Sequence, residues 1–196
     1  MTGTRLDAIL SATRDRIAGL KAHARELARR AAAAPAPPSF ARALRPEGVT
    51  VGVIAEVKRR SPSAGAIRED LDPARHALAY QRGGAVAISV LTDAPHFGGS
   101  LEDLMCVAQA VSVPVLRKDF ILDALQLLEA RAAGASGVLL IARALPRDQL
   151  GALARTARDN SHNSATGWLL TTSASPLSRV LCRADCSSSG NSRRST

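Results

Sequence analysis

Long apolar runs are missing from this 196-residue chain. The longest strand-like stretch, Ala85–Leu91, falls far short of the ~20 residues that cross a bilayer. The first residues, "MTGTRLDAIL", hold no apolar signal core with a small-residue cleavage site behind it. A soluble, cytoplasmic protein with no membrane partner is expected. Cysteine is scarce: Cys106, Cys182 and Cys186 make no disulfide framework, and "CRADC" has no second ligand pair. The four His are scattered, so no metal site is expected. Aromatics are only 3%, which leaves few platforms on which single-stranded bases could stack. The formal charge of +9 invites a nucleic-acid reading, but the basic residues are spread along the chain rather than gathered in a stripe. No nucleic-acid partner is expected. A generally basic surface that also holds anionic small molecules accounts for the charge better.

What is present suffices for one ordinary domain or part of a larger one, with 46% hydrophobic residues to build a core. The chain has two textures. Residues 1–159 contain 14 Ser plus Thr, and the last 37 residues contain 14 more, with no Lys, no Glu and one Asp. That tail shows no sustained helical or strand period.

Ahead of it a pattern repeats. Residues 1–50 read as a helical extension: Thr4 with Asp7 makes a capping pair, and Leu6, Ile9, Leu10, Thr13, Ile17 and Leu20 lie on one helical face. "AAAAPAPPS" then ends the helix, because proline runs cannot continue it. Residues 51–158 alternate. Val51–Val57 reads as a strand, Asp72-Pro73 opens a helix and Gly83-Gly84 closes it. "AVAISVL" is a strand buried on both faces. Ser100 opens a second helix, "VPVLRKDF" is a third strand, and Asp123 with Gln126 caps a helix that stops at Gly134. "GVLLIA" is a fourth strand, followed by a helix from Pro146 to Arg158. Four β/α repeats mean a parallel sheet with helices outside. No Gly-rich phosphate fingerprint follows the first strand, which weighs against a dinucleotide fold and for part of an eightfold barrel.

Strand ends carry the chemistry in a barrel. Glu56 and Lys58 are two apart, so they share a strand face, and so do Lys118 and Phe120. If both faces point into the mouth, two ammonium groups and one carboxylate meet there. Two adjacent lysines depress one another's pKa, so one could donate a proton near neutral pH while the other stays charged. A plain ion pair is the ordinary reading of a lone Glu-x-Lys, and His96 reads as a loop residue.

"VIAEVKRRSPSAG", "AYQRGGAVAISVLTDAPHFGGSLEDL" and "VPVLRKDFILDALQLLEARAAGASGVLLIARAL" closely resemble indole-3-glycerol-phosphate synthases, in family order and spacing, over about residues 4–158. The resemblance implies a (β/α)8 TIM barrel, here about four β/α units behind an extra amino-terminal helix. It implies a decarboxylating ring closure in tryptophan biosynthesis, acting on a small, anionic, phosphorylated substrate, carboxyphenylamino-deoxyribulose phosphate. No cofactor and no obligate protein partner are implied. By resemblance Lys118 is the general acid at the sugar oxygen. Lys58 binds the substrate carboxylate, and Glu56 orients Lys58 and assists proton transfer. Ser61, Phe97 and Phe120 line the pocket.

The family's fifth strand carries a glutamate, its sixth an asparagine, and its last two bring phosphate-holding loops. None of these motifs follows Asp159. Motif, period and composition are lost together, which points to a frameshift or truncation near residues 158–160. Residues 159–196 are then a non-homologous, disordered tail. The expected result is a chain of little activity, or an inactive half-barrel remnant or scaffold.

Overall fold

The computed structural model describes residues 4–44, 51–159 and 169–172. Most of the Ser/Thr-rich tail lies outside the described residues.

Two helices lead the chain, α1 (Arg5–Lys21) and α2 (Ala24–Ala33), followed by the short α3 (Phe40–Ala43). The capping box is present at α1: Asp7 N–H donates to Thr4 Oγ1 at 3.3 Å and Thr4 N–H donates to Asp7 Oδ2 at 2.7 Å. The sequence reads one long helix here. The structure breaks it after Lys21, where His23 N–H bonds back to Leu20 O in a tighter turn.

The sheet comprises β1 (Ile54–Val57), β4 (Ala87–Leu91), β5 (Val115–Lys118), β6 (Gly137–Leu140) and β7 (Leu169–Thr172). A two-stranded hairpin, β2 (Arg60–Ser61) with β3 (Gly65–Ala66), follows β1. The helices between strands are α4 (Pro73–Arg82), α5 (Ala94–Phe97), α6 (Leu101–Ala110), α7 (Ala124–Ala132) and α8 (Arg147–Asp159). The four expected strands and the helices joining them are all found. The fifth strand is an addition: four residues of the tail pair in parallel with β6, from Gly137↔Leu169 to Leu140↔Thr172.

The sheet order is β1-β4-β5-β6-β7 and every pairing is parallel. Each strand lies beside the next one in the chain. A doubly wound sheet reverses direction at a switch point, whereas a barrel wall advances without reversal. The arrangement is a partial barrel.

Alternation along the strands sorts side chains between the two faces. Val57, Ile88, Val90, Val115, Val138 and Leu140 pack under the helices with Leu104, Val107 and Leu127. Each such side chain contributes about 1.5–3 kcal/mol by burial. Ala87 and Leu116 face the other way and close on Phe40, which is fully buried. Thus α3 puts a ring under the amino ends of the strands and gives the inner face an apolar floor. β1 pairs on one side only among the described strands, and Val51, Val53 and Ile54 at that edge are exposed. Among the described residues, no helix is long and apolar enough to cross a membrane.

Candidate active site

Glu56 is the third residue of β1, and Lys58 follows the strand's last residue. Lys118 ends β5. β4 stands between the two strands, so a contact between Glu56 and Lys118 must cross it. It does. Lys118 Nζ donates to Glu56 Oε2 in a close ion pair, and Lys58 Nζ lies 2.9 Å from Oε1. The side chains of Lys58, Glu56 and Lys118 are each about a third exposed. They are held by the protein yet open to a ligand.

The two ammonium groups do not meet bare, because the carboxylate gives one oxygen to each. Burial works against ionisation of Glu56, but the hydrogen bonds and charges of Lys118 and Lys58 outweigh it and hold the carboxyl below its ordinary pKa. The folded pKa is depressed, so the stability contributed by this pairing is complete above the unfolded carboxylate value, ~4.3. It is lost as pH falls through the lowered value. A side-chain carboxyl ¹³C titration is expected to find Glu56 below the exposed glutamates, and to find it raised in Lys118→Met.

The strands hold this cluster through a second, buried group on the opposite face of β5. Arg117 is fully buried. Its guanidinium donates to Asp119 Oδ2 at 2.9 Å, Thr92 Oγ1 at 3.1 Å and the Gln126 carbonyl at 3.0 Å. Its Nη2 also lies 2.8 Å from Glu129 Oε2, an ion pair too poorly angled to be a hydrogen bond. Asp119, with a side chain of zero exposure, also accepts from Arg16 of α1 at 2.9 and 3.0 Å. Thr92 Oγ1 donates to it at 2.6 Å and Phe120 N–H at 2.8 Å. The amino-terminal helix is therefore tied to the residue next to Lys118. Burial alone would raise the Asp119 pKa; Arg117, Arg16 and the hydrogen bonds pull it down instead.

The remaining expected site residues are less concentrated. Ser61 sits in the β2–β3 hairpin, where its Oγ accepts from Ala64 N–H at 3.1 Å. It lines a cleft of about 340 Å³ with Arg5, Arg60, Pro62, Pro95 and His96. Phe97 ends α5, just past β4, and is half-buried. His96 stands in that short helix rather than in a loop, beside the N-cap Asp93, 3.1 Å from its Oδ1. Phe120 does not continue the face of Lys118 along a strand. β5 stops at Lys118, the backbone N–H of Phe120 donates to Asp119 Oδ1, and the ring packs against the helix-side core.

Sequence reasoning missed Arg16, Arg117, Asp119 and Arg59. Arg59 clamps the loop after β1 to α6 through a two-pronged ion pair with Asp103, and it donates to the carbonyls of Leu71 and Gly98. For Arg117 and Asp119 the available signal was alternation: both lie on the face of Val115, which belongs under the helices.

Comparison with known proteins bears on what such a cluster at a barrel mouth does. The family model for indole-3-glycerol phosphate synthase matches residues 6–163. The synthase of that name from Rhodococcus opacus (strain B4) is 53% identical over 152 residues, covering 76% of this chain and 56% of the relative. The one from Mycobacterium leprae (strain TN) is 52% identical over 149 residues, 75% of this chain and 54% of the relative. The one from Rhodopirellula baltica is 62% identical over 100 residues, 51% and 39% respectively. The chain spans about half the length of the curated relatives it matches. The matched segment contains the first four strands of the sheet and the Glu56–Lys58–Lys118 cluster alike, and on that match the chain belongs to the indole-3-glycerol phosphate synthase family.

Proposed function

We propose that the Glu56–Lys58–Lys118 cluster serves the family's decarboxylating ring closure of carboxyphenylamino-deoxyribulose phosphate. The observation that carries the reading is the single carboxylate bridging two lysines across three strands. Lys58 holds the substrate carboxylate. Lys118, released from Glu56, gives its proton to the sugar carbonyl oxygen as the ring carbon bearing the carboxylate attacks. Carbon dioxide leaves and restores the aromatic ring, and then water leaves. Glu56 keeps Lys58 oriented and accepts a proton back. Ser61 and Phe97 border the substrate, whereas Phe120, which the resemblance also assigns to the pocket, packs against the helix-side core. The steps are proton transfers and bond cleavages without net redox change, so no electron-transfer cofactor is called for.

A second reading has its own observation. β7 stands fifth in the sheet and carries Leu169, Leu170, Thr171 and Thr172, with no carboxylate. The glutamate expected on a fifth strand as partner of the general acid is missing from it. On this reading the chain binds the aryl carboxylate through Lys58 and does not turn it over.

One experiment separates them. The purified chain is mixed with the substrate, and indole product and substrate binding are both followed. The first reading expects turnover that falls by about 10²–10⁴-fold in Lys118→Ala, the size of a lost general acid, with binding changed far less. Binding that depends on Lys58 without product supports the second. Turnover indifferent to Lys118 overturns the assignment of the acid.

A further inference from the structure

Ser89 takes no part in the cluster as described, yet it lies beside it. It is the middle residue of β4 and is 4% exposed. Its Oγ is buried without a hydrogen-bond partner. Leaving such a hydroxyl unpaired is destabilising, because its hydration is lost and no bond replaces it, so one kept in that state invites a reason.

Its place supplies one. β4 lies between β1 and β5, so the Glu56–Lys118 pair passes over it. Register sets Ser89 opposite Glu56 on one side and opposite Leu116, two residues before Lys118, on the other. Alternation puts Ser89 on the face of Ala87 and away from Ile88 and Val90, which pack under the helices. Ala87 and Leu116 belong with Phe40 to the apolar floor. Ser89 therefore occupies the layer between that floor and the ion pair. Neighbouring strands are about 4.8 Å apart, which brings a carboxylate on β1 within reach of a hydroxyl on β4. Among the described residues, the other buried side-chain atoms without a hydrogen-bond partner belong to Arg16, Arg60 and Glu129, and none of these is on β4.

We infer that Ser89 is a positioning residue whose hydroxyl becomes a donor to Glu56 when Lys118 leaves that carboxylate for the substrate. At rest Glu56 has two donors, Lys58 and Lys118, and these are the charged groups that bear on it. Departure of Lys118 strips one oxygen of a half-buried carboxylate. Rotation of one hydroxyl then replaces the lost donor and keeps Glu56 ionised and oriented toward Lys58. The inference rests on the reading of Lys118 as the proton donor, but its test reads no turnover, so an inactive chain leaves it intact.

Lys118→Met imitates the departed lysine. Urea unfolding at pH 7 is measured for the parent chain, Ser89→Ala, Lys118→Met and the double variant. In the parent, Ser89→Ala is expected to disfavour unfolding by about fivefold or more, because an unpaired buried hydroxyl is removed and no bond is lost. In the Lys118→Met background it is expected to favour unfolding by about tenfold, because the replacement donor is removed. A hydroxyl with only a packing role has the same effect in both backgrounds, and that result overturns the inference. So does a tenfold shift towards unfolding in the parent chain, since the hydroxyl then already has a partner. Failure of Lys118→Met to fold also overturns it, because the inference requires that Ser89 can stand in for the lysine.

Discussion

Asp119→Ala is expected to cost about 3–5 kcal/mol, the penalty for breaking a buried ion pair by removing one partner. Four groups converge on this carboxylate: Arg117, Arg16, Thr92 and its neighbour's backbone N–H. The loss falls unequally on the two arginines. Arg16 is a third exposed and can turn to water. Arg117 has no exposure and keeps only the Gln126 carbonyl, Thr92 and the misaligned Glu129. Arg117 therefore dominates the penalty. A shift of the urea midpoint at constant slope measures it. A change below about 1 kcal/mol would mean that Glu129 alone neutralises Arg117. The pH profile gives a second reading. The Asp119 pKa is depressed in the fold, so its contribution is complete above the unfolded carboxylate value, ~3.9, and disappears as pH falls through the folded value. The parent chain is expected to lose stability steeply at the acid end, and Asp119→Asn to flatten that slope.

The same carboxylate shows which features the sequence makes legible. Local rules work well: Thr4 with Asp7, Asp72 before Pro73 and Asp123 with Gln126 each open a helix where expected. Each depends on side chains three or fewer residues apart, so the chain carries the whole signal. Glu56 and Lys58 were legible for the same reason, through the two-residue period of a strand. Their meeting with Lys118 needed the strand order, which the β/α alternation supplies once a barrel is assumed. Arg117 failed the rule that charge means solvent. Asp119 is only two residues away, but the groups that complete the network come from the following helix and, through Asp119, from Arg16 101 residues upstream, and no local window contains those. Helix α5 and the β2–β3 hairpin are four residues and two plus two, too short for any period to stand out. Strand β7 is also four residues, and its main support is its pairing with β6.

Gly99→Ala is expected to destabilise the chain by about 3 kcal/mol or more, at or above the upper end of overpacking costs. The cause is space. A Cβ at Gly99 would lie 2.0 Å from the Leu91 carbonyl oxygen and 2.6 Å from its carbon. Those are backbone atoms at the end of β4, so no rotamer change relieves the clash. Either the strand end or the loop over residues 92–99 must move. Both choices reach the site. Leu91 pairs in register with Lys118. The loop carries α5 with Phe97, and its carbonyls at Ala94, Pro95 and Gly98 hold Arg60 and Arg59. The neighbouring glycine provides the control. Gly98 has φ of 65°, so alanine there carries a left-handed penalty of about 1–2 kcal/mol. Its new Cβ would meet the Arg60 side chain at 3.2 Å, and a flexible arm can yield. The two unfolding curves should differ in that order, with Gly99→Ala the weaker protein. The reverse order would mean that the carbonyl of Leu91 is free to swing aside, and that the end of β4 is not the fixed rail against which Lys118 is set.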